Sequence, residues 1–235
     1  MRKIGLTSAL VLAAALVGAS EARVDDLREL VSDARDSVLH LTSDPAMDWF
    51  RDNVKNAKGV LIIPRLLKGG FIFGGSGGSG VLLARDAQTG AWSYPAFYTL
   101  GSVTVGPQIG GEAAELILMM MTQRGLDSMM ASSVKLGVDV EVAAGPVGAG
   151  TKAATADVLA FSRTKGLFGG ATVEGAWIGE REGWNEECYG RHVRPIEILL
   201  DHKVTNAQAD SLREAIVRVS GTVPTSQSPS PMSSP

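Results

Sequence analysis

The chain predicts an α+β domain: a glycine-rich, largely antiparallel β-sheet, sandwich or barrel-like, with flanking N-terminal helices, one buried central helix and a C-terminal helix. Three observations predict it. Apolar residues recur at three- and four-residue steps near both ends of the chain. Between these ends lie short apolar runs punctuated by Gly and Pro. Two later stretches alternate apolar with polar or small residues. The 235 residues, 45% hydrophobic and 20% charged, suit one domain with a sizeable core.

The first helix is read from Val24, Leu27, Leu30, Val31, Ala34, Val38 and Leu41, which form one apolar stripe. Asp44 caps a second helix, with Pro45 in its first turn and Met47, Phe50 and Val54 on one face. From Gly59, GVLIIP, GGFIFG, GVLLARD and GAWSYPAFYTLGSVTVG read as strands. Residues 112–123, EAAELILMMMTQ, open with acidic residues and carry too many apolar positions for one face, which predicts the buried helix. Met119 to Met121 are core filler on this reading. In SSVKLGVDVEV, Val134, Leu136, Val138, Val140 and Val142 alternate with Ser133, Lys135, Gly137, Asp139 and Glu141, predicting one half-buried strand. GLFGGATVEGAWIG repeats the period, with Leu167, Gly169, Ala171, Val173, Gly175 and Trp177 expected inward. Thr205 and Gln208 form a capping box for a last helix within 203–220. Residues 221–235 are Pro/Ser-rich and are expected to be a disordered tail.

Residues 1–22 carry Arg2 and Lys3 before an apolar run from Ala9 to Val17, followed by small residues. That is the pattern of a secretory signal cleaved after Ala19 or Ala22, and the run is shorter than the roughly 20 residues a bilayer span needs. A periplasmic location follows as the expectation, peripheral on a membrane. Without residues 1–22, 20 Lys and Arg stand against 24 Asp and Glu. Net charge therefore gives no attraction to nucleic acid, and any attraction to an anionic surface has to be local. Cys188 is the only cysteine, so no internal disulfide forms.

The GGSGGSG run fits two nucleotide- and nucleophile-type patterns at once. Gly75, Gly77 and Gly80 satisfy G-x-G-x-x-G, but a strand-like VLLARD follows where a helix is required, and Leu100 stands where an acid should be. No Gly-Lys-Ser/Thr follows to make a P-loop. Gly74, Ser76 and Gly78 satisfy G-x-S-x-G, again without the helix that holds a nucleophile's strained turn. A serine hydrolase using Ser76, with His192 or His202 and Asp157 as partners, is carried as the lesser alternative. The glycines are read as sheet backbone where a bulge or close neighbour leaves no room for Cβ.

His40, His192 and His202 have no metal-ligand spacing, and Cys188 with His192 supplies only two candidate ligands. No metal site, cofactor or catalytic residue is assigned. Glu186 and Glu187 read as a solvated face. The one charge anomaly is residues 51–70, where Arg51, Lys55, Lys58, Arg65 and Lys68 face only Asp52, and Leu66 and Leu67 sit between two of the cations. Such a cluster can meet anionic headgroups while leucines dip into the interface. At roughly 1 kcal/mol per cation, four cations supply only about millimolar binding. An apolar contact or several copies of the domain, as in a homo-oligomer, would supply the rest.

The blocks KGVLIIPRLLKGGFIFGGSGGSGVLLAR, GPQIGGEAAELILMMM, VAAGPVGAG, FSRTKGLFGGATVEGAWI and the Cys-Tyr-Gly stretch before RPIEILL resemble, in order, those of the SYLF domain family across residues 24–200. The resemblance implies a non-enzymatic lipid-binding domain spanning 23–202. Eukaryotic relatives favour phosphoinositides and work with the actin cytoskeleton, whereas bacterial relatives are short exported proteins. Lys55, Lys58 and Lys68 fall in the matching KxxKG and KGG blocks. The helix from Arg23 to Asp36 has three basic and five acidic residues, so the cationic contact is assigned to Lys55, Lys58, Arg65 and Lys68. The expected partner is an anionic phospholipid surface of a bacterial envelope, carrying phosphatidylglycerol or cardiolipin. An envelope structural or protein-interaction module is the first alternative.

Overall fold

A computed structural model describes residues 25–70, 73–105, 110–147 and 156–221. The expected signal segment and nearly all of the expected tail lie outside the described residues.

The first helix, α1 (25–43), buries Leu27, Val31, Ala34, Val38 and Leu41, the stripe its sequence predicts. Asp44 accepts from the Ala46 amide and caps a 3-10 turn, Pro45–Met47, which leads into α2 (Asp48–Asn53). Met47, Phe50 and Val54 are buried there. Among the described residues nine strands then form one sheet: β1 (Gly59–Gly70), β2 (Phe73–Ala84), β3 (Ala96–Val105), β4 (Gly110–Met120), β5 (Ser133–Lys135), β6 (Val142–Ala144), β7 (Val158–Thr164), β8 (Leu167–Gly170) and β9 (Trp177–Glu180). Their order is β5-β9-β3-β2-β1-β4-β7-β6, with β8 also on β7. Every pair is antiparallel except β6 with β7.

The sheet curls into a half-barrel. Leu100 of β3, Leu116 of β4 and Ser162 of β7 line one cavity although β2 and β1 lie between β3 and β4, which requires that face to be concave. This inner face buries Leu61, Ile63, Leu82, Tyr98, Leu118 and Ile178 against α3 (Gln123–Ser128) and α5 (Pro195–Leu199). The outer face buries Val60, Ile62, Val81, Phe97, Ile117 and Phe161 under α1, α2 and α6 (Asp210–Ser220). A further helix, α4 (Glu182–Tyr189), covers the start of β3, where the Asn185 carbonyl oxygen accepts from the Phe97 amide at 2.8 Å.

The glycine-rich run is sheet backbone, as expected. A Cβ on Gly80 would come within 2.5 Å of the Ile62 carbonyl oxygen, and one on Gly78 within 2.7 Å of that of Arg65. Both glycines admit the irregularity where β1 bulges between Ile62 and Leu67.

Four expectations are corrected. Residues 112–123 are not the buried central helix: they form most of β4, paired with β1 from Gly59 opposite Met120 to Gly70 opposite Gly110. Its second half is buried on both faces, so apolar residues occupy successive positions and the period of two disappears. The 132–142 stretch is not one strand, because Gly137 (φ +78°) turns the chain between β5 and β6 and leaves Val138 70% exposed. Leu167 and Trp177 do not point inward and are 77% and 45% exposed. The last helix is preceded by an Asn206 cap accepting from the Gln208 amide, rather than by a Thr205 box.

Candidate functional site

The two ends of β1 differ in what they carry. From Gly59 to Ile63 successive side chains are buried on alternate faces. Beyond the bulge, Leu67 is 58% exposed, and the strands pair glycine with glycine: Gly69 opposite Gly75 and opposite Gly111. The register sorts this distal part into transverse rows. On the outer side, Ala113, Leu67, Gly77, Gly101 and Trp177 stand in one row and Gly111, Gly69, Gly75 and Val103 in the next. Up to Trp177, neither row contains a polar side chain. Val103 is 84% exposed, and Lys135 closes the first row beside Trp177.

The row between them faces inward and is polar: Glu112, Lys68, Ser76 and Ser102. The Ser76 and Ser102 hydroxyls are 2.7 Å apart. They open on a cavity of about 260 Å³ lined also by Lys68, Ser162, Thr172 and Glu174. A second cleft, about 330 Å³, runs along the outer side between α1, which presents Asp26, Glu29 and Asp33, and a wall of Pro64, Leu67, Gly77 and Trp184. Arg65 lies in it, 3.5 Å from Asp33 and 4.0 Å from Glu29. At its margin the Arg181 guanidinium stacks on Trp184 and donates to Ser79 Oγ at 2.6 Å.

The four cations named from the sequence are not brought together. Lys55 and Lys58 precede the first residue of β1, and Lys68 is near its last. Ten residues of extended chain separate Lys58 from Lys68, about 30 Å at the usual strand rise. Arg65 points to the outer side and engages α1, whereas Lys68 lines the inner cavity. Ser76 sits in the middle of β2 with no turn or helix after it, and its hydrogen-bond partner is Ser102. His40 faces Glu115, His192 faces Glu182 and His202 faces Asp86, so none attends Ser76. Asp157 is held by Thr122 and Arg124. Cys188 lines a third cavity, between α1 and α4, where burial pushes its thiol pKa up. Among the described residues no group of three or more His, Cys, Asp or Glu is placed to hold a metal ion. No described helix is long and apolar enough to cross a membrane.

Sequence reasoning missed Val103, Trp177, Lys135 and Glu174. Their only signal lies in cross-strand register, which no local pattern carries.

The sequence pattern of the family described as "Ysc84: Las17-binding protein actin regulator" matches residues 101–219. The chain belongs to the Ysc84 (SYLF) family. LAS seventeen-binding protein 3 of Saccharomyces cerevisiae is 39% identical over 147 residues, which cover 59% of this chain and 32% of that protein. Protein YSC84 of the same yeast is 35% identical over 167 residues, 68% of this chain and 35% of its own. Human SH3 domain-containing YSC84-like protein 1 is 30% identical over 169 residues, 69% of this chain and 49% of its own. The chain thus spans a third to a half of the length of these curated relatives. No solved structure matches. The family is described as a Las17-binding actin regulator and the first of these relatives is named for Las17 binding, and both descriptions are of those proteins.

Proposed function

We propose that this Ysc84-family protein is a non-enzymatic, peripheral lipid-binding protein of a bacterial cell envelope, exported to the periplasm. One observation supports the reading: the exposed outer side of the distal sheet, whose two rows hold only apolar side chains and glycine up to Lys135 at the end of the first. Leu67, Val103 and Trp177 enter the interfacial layer, and Arg65 and Lys135 meet anionic headgroups at its edge. The three apolar side chains contribute about 4 kcal/mol and the two cations about 2 kcal/mol. Together these give a dissociation constant of tens of micromolar, which the cations alone do not reach.

Sedimentation with phosphatidylcholine vesicles of increasing phosphatidylglycerol content tests it. Binding should rise with the anionic fraction and weaken with salt. It should fall about tenfold or more in the Leu67→Ser, Val103→Ser double variant. Arg65→Glu with Lys135→Glu should weaken it more than Lys55→Glu with Lys58→Glu, because the second pair lies at the far end of β1. Equal binding by wild type and the double variant would remove the outer side from the account.

The acidic cleft favours a second reading, a protein-interaction module that receives a basic, apolar segment between Asp26, Glu29 and Asp33 and the Leu67 wall. That reading gives no dependence on vesicle charge and a loss of partner binding in Asp26→Asn, Glu29→Gln.

A further inference from the structure

The inner cavity is not used by the membrane contact proposed above, since it opens on the opposite side of the distal strands. Its composition is specific. Lys68 and Glu174 supply opposite charges, and Ser76, Ser102, Ser162 and Thr172 supply hydroxyls. Leu66, Leu100 and Leu116 provide an apolar floor. Lys68 makes no ion pair among the described residues, although Glu112 stands directly across from it in the β1–β4 register. Glu112 is exposed and does not line the cavity.

The hydroxyls are arranged to donate. In the Ser76–Ser102 pair one hydroxyl gives its proton to the other, and the second proton stays available to a ligand. Ser162 and Thr172 make no side-chain hydrogen bond among the described residues. Three donors beside one ammonium suit a tetrahedral oxyanion, whose several oxygens each accept. The carboxylate of Glu174 repels a simple anion and so needs a positive group on the same ligand. Its stem is seated by Gly137, where an added Cβ would come 3.2 Å from Glu174 Cγ.

We propose that this cavity binds a zwitterionic phosphoester: a phosphate joined by a short carbon link to an ammonium group, as in phosphoethanolamine, carried on a lipid headgroup or free. Phosphate oxygens accept from Lys68 and the hydroxyls, the link lies over the leucines, and the ammonium donates to Glu174. The volume, about 260 Å³, admits a headgroup and excludes acyl chains.

Calorimetric titration of the intact chain with O-phosphoethanolamine, inorganic phosphate and ethanolamine tests this. O-phosphoethanolamine should bind about tenfold tighter than either fragment. Lys68→Gln should weaken both O-phosphoethanolamine and phosphate. Glu174→Gln should weaken O-phosphoethanolamine while leaving phosphate unchanged or tighter. The two sources separate in a vesicle arm. A gain on replacing phosphatidylcholine by phosphatidylethanolamine, lost in both variants, assigns the lipid, and soluble binding without that gain assigns the free ester. O-phosphoethanolamine binding no tighter than phosphate, or indifference to Glu174→Gln in a folded variant, overturns the proposal. Sedimentation on anionic vesicles through Leu67 and Val103 would survive that failure, and its own failure would leave the soluble titrations intact.

Discussion

The strands β3, β2, β1 and β4 run through two regions of opposite character. In the proximal half, Val60, Leu61, Ile62 and Ile63 are each no more than 1% exposed, with α1, α2 and α6 on one face and the inner core on the other. In the distal half the same strands continue their pairing with glycines and a few exposed side chains. Backbone hydrogen bonds are therefore made along the whole sheet, but burial is confined to half of it. Burial stabilises a fold at about 25 cal/mol per Å², and sheet hydrogen bonds exposed to water add little net stability. The proximal half holds the molecule together. The distal half is a platform carried by it, free to present surface that a core could not tolerate.

The largest expected effect lies in the proximal half. Phe161 is fully buried and stands edge-on to Phe50 at 5.4 Å between ring centroids. Phe161→Ala should cost about 4 kcal/mol, read from the urea midpoint at unchanged slope. A cost under about 1 kcal/mol would mean that the helices do not share this core.

Two glycines on one strand sharpen the comparison. Gly80→Ala puts a Cβ 2.5 Å from a carbonyl oxygen of β1, whereas Gly77→Ala meets nothing nearer than 3.7 Å. The first should cost about 2–3 kcal/mol. The second should change stability by no more than about 0.5 kcal/mol, toward stabilisation, because it restricts the unfolded chain. Equal costs would break the division of the sheet into a packed and an unpacked half.

These differences also explain what the sequence disclosed. The helices α1 and α2 were legible because each packs one face, so Leu27, Val31, Ala34, Val38 and Leu41 keep helical spacing. β4 was not legible, since Leu116 to Met120 are buried on both faces and a continuous apolar run has no period to read. The role of the GGSGGSG run was legible by elimination, because nucleotide and nucleophile loops need a helix after them. The site was only partly legible. Adjacent numbering suggested one cation cluster from Lys55 to Lys68, but extended chain advances about 3.3 Å per residue, and pleating sends Arg65 and Lys68 to opposite faces. The apolar row of Leu67 and Trp177 joins residues more than a hundred positions apart through register alone.

A smaller effect tests the junction that closes the inner core. Asp157 accepts from Thr122 Oγ1 at 2.6 Å and from Arg124, and Thr122 in turn caps α3 through the Gly125 amide. The Arg124 guanidinium and then the Thr122 hydroxyl hold the Asp157 pKa below its ordinary 3.8. A depressed folded pKa contributes stability that is present above the unfolded value and is lost as pH falls through the folded one. Asp157→Asn should cost about 1–2 kcal/mol at neutral pH. The difference from wild type should shrink as pH drops below about 4. A difference that stayed constant down the acid limb of urea melts would show that the charge is not what secures α3.

The smallest stability effect is expected where the functional effect is large. Leu67 and Val103 are mostly exposed, and their partners on β2, Gly77 and Gly75, offer no side chain to pack against. Replacing both by Ser removes little buried area, so the midpoint should move by no more than about 0.5 kcal/mol, while vesicle binding falls. The two readouts must separate. A variant that lost binding and stability together would show that Leu67 and Val103 belong to the core, and the distal sheet would then be packed structure rather than a presented surface. A variant that kept its stability and lost binding would place recognition on the half of the sheet that folding does not use, which is where a protein can hold exposed apolar side chains without the unfolding cost that burying a polar contact surface would bring.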